Sequence, residues 1–105
     1  MRGDDFMYGV TPDVRAMITL TRENPVRSGY RPSHLIGDYR TTGMHTYFVD
    51  GDVFPGTAVD GTITFISPEM YPGTMEPGMR IYLYEGSKEV GYADITEIYN
   101  DVLRR

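Results

Sequence analysis

His34 and His45 are the only imidazoles in this 105-residue chain, and there is no cysteine. If the strands that carry them lie side by side, the two rings and the carboxylate of Asp38 supply three ligands of the kind a divalent metal takes. The same groups are the ones a small enzyme would use. The plainer reading is a pair of partly exposed strand histidines. Other chemistry is poorly provided for. Asp50-Gly51-Asp52 has the opening of a calcium loop, but Gly61 stands where such a loop needs its closing glutamate. There is no GxxxxGK[ST] run to cradle a nucleotide phosphate. No cysteine, and no serine in a nucleophile-elbow context, offers itself for acyl transfer. The chain is therefore expected not to be an enzyme and to need no cofactor.

Residues suited to recognition are more plentiful. Arg80, Tyr82 and Tyr84 alternate, which on a strand puts all three on one face. Aromatics interleaved with arginine stack on bases or anchor a partner protein; on a barrel exterior they also serve simply as amphipathic cover. A second stretch is Arg27-Ser28-Gly29-Tyr30-Arg31-Pro32. Gly29 admits backbone angles closed to other residues, and Pro32 fixes its own φ and holds Arg31 extended. Tyr30 and Arg31 are thus expected on a stiff approach to a strand.

The elements that must position these groups read as strands. From Val14 to Arg22, Ala16, Ile18 and Leu20 alternate with Arg15, Met17, Thr19 and Thr21, the period of a half-buried strand. His34–Ile36 is short and apolar. Thr42–Val49 alternates, and so does Thr57–Ser67, where Gly61 predicts a bend of the sort that closes barrels. Met79–Glu85 and Lys88–Tyr99 flank Gly86-Ser87, a two-residue hairpin signal. Residues 68–77 read as a long loop, 1–13 as a loose arm or added edge strand, and 100–105 as a frayed polar tail. No helix longer than a turn is expected. Six strands in one domain of this length predict a small closed antiparallel Greek-key barrel over residues 14–99.

Composition bounds the partners. The net charge is −5, which argues against broad binding to nucleic acid. Charge is uneven along the chain. Arg15, Arg22, Arg27, Arg31 and Arg40 face only Glu23 and Asp38 in residues 15–40, while residues 41–79 hold Asp50, Asp52, Asp60, Glu69 and Glu76 and no Lys or Arg. One end of the fold is expected to be basic and the other acidic, or both to be ordinary solvated surfaces. No run approaches the length of a membrane span, and the N-terminus lacks a signal-peptide core, so a cytoplasmic protein is expected, with no membrane partner. Met1 ahead of the arm is what a natural short protein would show.

Several motifs recur in a recognisable order: Gly29-Tyr30-Arg31-Pro32, Arg40-Thr41-Thr42, Pro55-Gly56, Gly78-Met79-Arg80, Glu85-Gly86-Ser87, then Val90-Gly91. In this order and approximate spacing, over about residues 14 to 99, the chain resembles the C-terminal β-barrel domain of the elongation factor Tu group of GTPases, without the GTPase domain. The resemblance implies a six-stranded barrel. It also implies contact with the T-stem of aminoacyl-tRNA, the GTPase domain and the nucleotide-exchange factor. The positions that match the family's contacts are Ser33, Thr41, Thr42, Glu85 and Gly86. Ser33 stands in place of the usual glutamine and is shorter, and Ser87 in place of the second glycine of the hairpin. Seven residues, Ser33 to Tyr39, fill a gap that is shorter in the family, so a bulge or longer loop is expected there. The candidate site is then Tyr30, Arg31, Ser33, Thr41, Thr42, Arg80, Tyr82, Tyr84, Glu85 and Gly86. The expected role is protein–protein binding, as a mimic or regulator of a translation-factor partner. The alternatives are a tRNA- or RNA-binding accessory domain, and a metal-binding protein or enzyme built on His34 and His45.

Overall fold

The computed structural model describes residues 11–105. Six strands, β1 (Val14–Leu20), β2 (Ser33–Ile36), β3 (Tyr39–Tyr47), β4 (Ala58–Phe65), β5 (Arg80–Glu85) and β6 (Lys88–Ile98), close an antiparallel barrel in the order β1-β4-β3-β2-β5-β6. The strands β2, β3 and β4 form a meander and β1 lies beside β4, the order of a Greek key. Period-two patterning decides which way each strand faces. Val14, Ala16, Ile18 and Leu20 point in from β1, and Ile81 and Leu83 from β5; all are buried.

Closing so few strands forces backbones together at the corners, and glycine stands where they meet. A Cβ on Gly61 would overlap the Thr46 carbonyl oxygen across β3–β4, and one on Gly91 would overlap the Thr19 carbonyl oxygen across β1–β6. Gly91 also has φ +151, a conformation that other residues rarely adopt. What Gly61 serves here is the close approach of the neighbouring strand, with β4 continuous through it.

The structure differs from the sequence-based expectation in three places. The stretch Ser33–Tyr39 is neither bulge nor long loop. It is a tight hairpin in which Ile36 pairs with Tyr39 around Gly37-Asp38, so β3 begins three residues before the expected Thr42. The C-terminal segment is not frayed: Asp101–Leu103 forms a 3-10 turn, the Leu103 side chain is fully buried, and the Met75 N–H donates to the Leu103 carbonyl at 2.8 Å. Burying one leucine stabilises by roughly 1.5–3 kcal/mol, and the Gly73 N–H to Val102 carbonyl and Arg105 N–H to Met75 carbonyl bonds, each at 2.9 Å, tie the segment on either side of it. Buried Met75 meets this segment, so part of the expected 68–77 loop is core. Residues 1–10 of the expected arm lie outside the described residues. Asp13 at its end belongs to the barrel. Its carboxylate accepts from the Phe65 N–H at 2.7 Å and from Asn100 Nδ2 at 2.8 Å, and its carbonyl accepts from Tyr99 and Asn100.

Substituting alanine at Gly61 or Gly91 is expected to cost about 2–4 kcal/mol in denaturant unfolding, because backbone must move. At Gly51, a positive-φ turn with open space around it, the same change should cost about 1 kcal/mol. Equal losses at all three would show that interstrand approach is not the constraint.

Candidate functional site

The register of β2 assembles much of the candidate face. Ser33 pairs with Thr42 on one side and with Tyr84 on the other, so these three side chains form one outward row across β5, β2 and β3. Arg31 reaches the same surface, where its guanidinium approaches Met44 Sδ at 3.8 Å. Arg40 lies over the Tyr84 ring, 4.1 Å from its centroid, and donates to the Gly86 carbonyl at the hairpin tip. Further along, the Arg80 guanidinium stacks on Tyr92 at 3.9 Å and forms a two-bond pair with Asp94 at 2.7 and 3.1 Å. Tyr82 packs edge-on against Tyr92 and stays exposed. At exposed sites a guanidinium over a ring at such distances gains a modest attraction, which favours keeping the two together.

Thr41 is a correction. It sits opposite His34 in the β2–β3 register and is buried, so it faces the barrel interior and not a partner. Tyr30 is half buried and works as a strut. Its ring packs edge-on against His45, and its hydroxyl donates to the Glu85 carboxylate, which also pairs with Arg22 at 3.3 Å. Burial and that carboxylate push the Tyr30 hydroxyl well up, so it keeps its proton. Glu85 and Gly86 are thus both tied down, one to Tyr30 and Arg22, the other to Arg40. The sequence reading left Arg40, Tyr92, Asp94 and Arg22 off the site. Arg40 was within reach as the head of the Arg-Thr-Thr motif. Tyr92 was hidden by a bulge: β5 and β6 pair Tyr84 with Glu89 but Leu83 with Gly91, and the extra residue, Val90, brings Tyr92 opposite Tyr82.

The expected division into a basic and an acidic end is undone by strand pairing. Arg15 grips Asp60 at 3.0 and 2.5 Å, and Arg27 pairs with Asp52 at 2.6 Å. The Arg15 guanidinium holds the Asp60 carboxyl below its ordinary value. Of the nine Lys and Arg among the described residues (ten in the chain, less Arg2), six sit in ion pairs. Each such pair on the surface is weak in energy, but it leaves less positive charge for a phosphate.

The two histidines are not partly exposed. His34 and His45 are both fully buried, and their Nε2 atoms meet at 2.8 Å. Gly43 makes this possible, since a Cβ there would lie 2.8 Å from His34 Cε1. A contact of this length holds one proton, one ring donating and the other accepting. His45 Nδ1 is 2.8 Å from the Tyr47 hydroxyl, while His34 Nδ1 has no hydrogen-bond partner. As placed, the two rings form a hydrogen-bonded pair and not the three-ligand set expected with Asp38. Two nitrogens bound to one tetrahedral zinc stand about 3.4 Å apart, Asp38 is exposed on its turn, and no group of three or more metal-ligating side chains forms among the described residues. Burial drives the His34 imidazole down to about 4, with the nearby Thr41 and Pro32 carbonyls opposing this only in part. His45 is held lower than usual by burial and by the adjacent His34.

No protein-family model matches the chain. Among the described residues, no helix is long and apolar enough to cross a membrane.

The buried pair gives a pH dependence of definite sign. The unfolded chain binds a proton near pH 6.5 and the folded chain does not until about 4. The stabilisation from a neutral His34 is therefore complete above pH 6.5 and is lost as pH falls toward 4. Its size is about 3 kcal/mol for His34, with His45 acting in the same direction. Unfolding free energies measured across this range should fall accordingly; a flat profile would contradict the burial of the pair.

Proposed function

We propose that the protein is a non-enzymatic binding module that holds a protein partner on the outer face of β5, β2 and β3. The observation that carries this reading is the pair of Arg–Tyr stacks, Arg40 on Tyr84 and Arg80 on Tyr92, with Tyr82 exposed beside them. Tyrosine and arginine dominate the energetic centres of protein interfaces because they bring large, stiff area at little entropic cost. Most of the described cations are already met by carboxylates, which favours a protein surface over a phosphate backbone. The motif resemblance to the elongation factor Tu barrel supplies the kind of partner: a cytoplasmic protein of the translation machinery that normally meets that barrel. This chain would act on it as a mimic or regulator.

A second reading, tRNA or other RNA, is favoured by one specific observation. Ser33, Thr42 and Tyr84 lie in one row beside exposed Arg31, and two of the three are positions the resemblance assigns to tRNA contact. Capture of partners from the native cell, identified by mass spectrometry, followed by affinity measurement, tests the choice. Tyr82→Ala and Tyr84→Ala are each expected to weaken the protein partner at least about tenfold without loss of fold. Unchanged affinity in both would remove this face from the function. Binding of tRNA that falls steeply from low to moderate salt, and that weakens in Arg31→Ala, would move the assignment to RNA.

A further inference from the structure

The His34–His45 pair is linked to the surface by a short series of contacts. His45 carries the Tyr30 ring against its own, with centroids 5.9 Å apart and planes near perpendicular. The backbone of His45 also brackets this turn, its N–H donating to the Tyr30 carbonyl at 2.9 Å and its carbonyl accepting from Gly29 at 2.8 Å. Tyr30 in turn donates to Glu85, the first residue of the β5–β6 tip. We propose that this series is an acid-sensitive latch: a proton taken up by the histidine pair unseats Tyr30 and releases the Glu85–Lys88 tip, altering the binding face. The consequence for binding rests on the reading given under Proposed function; the latch itself does not.

The chemistry follows from where a further proton can go. Between the two Nε2 atoms a second proton sets two N–H groups head to head at 2.8 Å, and the rings must part. In the tautomer where His45 Nδ1 accepts from the Tyr47 hydroxyl, a proton placed there displaces that hydrogen, which burial keeps on the oxygen, so that contact must turn round. In the other tautomer the open site is His34 Nδ1, unpartnered as placed, and a proton there makes a buried cation that the nearby Thr41 and Pro32 carbonyls stabilise only in part. The surroundings offer no counter-charge. β4 presents Phe65 edge-on to His34, and Ile63 pairs with His45. β5 places Leu83 opposite His34. The titratable neighbours are Tyr47 on β3 and Tyr30 on the 27–32 turn, and behind Tyr30 stand Arg22 and Glu85 as an ion pair. Movement of His45 is therefore the available relief, and Tyr30 is what rests on it.

The test uses the full chain without any partner, so its outcome is independent of whether the partner reading holds. Heteronuclear NMR follows the imidazole nitrogens, the Tyr30 ring and the Glu85–Lys88 amides from about pH 7.5 to about pH 3, a range that spans the depressed imidazole. The expected result is that the tip signals and Tyr30 change with the midpoint of an imidazole, below about 6.5 and ahead of global unfolding. Tyr30→Phe, which keeps the ring but cannot bond Glu85, should raise amide exchange at the tip about tenfold already at neutral pH. The double change His34→Leu with His45→Phe should abolish the acid transition at the tip. The proposal is overturned if the tip moves only with global unfolding, or with a midpoint no imidazole shares. Persistence of the transition in the double variant, which would assign it to the Glu85 carboxylate, overturns it too. Should the double variant not fold, the match of midpoints in the unsubstituted protein decides the matter.

Discussion

Everything in this molecule depends on a sheet of six short strands meeting itself. A barrel so narrow has room for one layer of side chains and brings some strands closer than a Cβ allows, which is why Gly61 and Gly91 stand at the β3–β4 and β1–β6 crossings. Closure gives each of the six strands a paired neighbour on both sides, so among the described residues no strand stands as a wholly free edge. What the chain offers is side chains on the outside of the wall. The interior answers the same constraint. At Gly43 the wall gives up a side chain, and the His34 ring occupies the space.

Pairing also redistributes charge. Along the chain, arginines precede and aspartates follow, yet antiparallel strands place the two runs side by side, and Arg15 meets Asp60 while Arg27 meets Asp52. The outer face of β5, β2 and β3, with Tyr92 of β6 beside it, is left with guanidiniums over tyrosine rings. Such a surface discriminates by shape and by the desolvation of rigid groups. It has little of the long-range pull that a phosphate binder relies on.

Much of this architecture was legible in the residues. The alternation of Val14–Leu20 and of Arg80–Glu85, and the Gly86-Ser87 turn, each name a local structure whose cause is local. What stayed hidden is set by partners distant in sequence. Asp13 looks like the end of an acidic arm, and only the fold brings it to Phe65 and Asn100, 52 and 87 residues away. Leu103 follows Val102 in an otherwise polar tail, with no periodicity to say which of the two is inside, and its burial follows from the approach of Met75. Tyr92 falls on the wrong face in a regular two-residue hairpin, and a single bulged residue corrects it. The histidines were legible as a pair but not as a buried one. His34 shares an interior with His45 only because the Gly37-Asp38 turn pairs it with Thr41, and that hairpin was read as irregular.

The histidine pair also bears on what a polar group does in an apolar core. Well-packed apolar side chains of similar volume often match or exceed the stability of a buried polar cluster. Strength is therefore a poor reason for two imidazoles here. A cluster built for strength would also cap both outer nitrogens, whereas Tyr47 caps His45 and nothing caps His34. The pair is thus the least secured part of the interior, and it lies directly under Tyr30, which ties the 27–32 turn to the β5–β6 tip. A titratable pair thus lies beneath the strut of the outer face, the arrangement on which the proposed latch rests. Under that proposal, a change that parts the rings reaches Tyr30, which touches His45 directly, ahead of the apolar packing of β1 and β6.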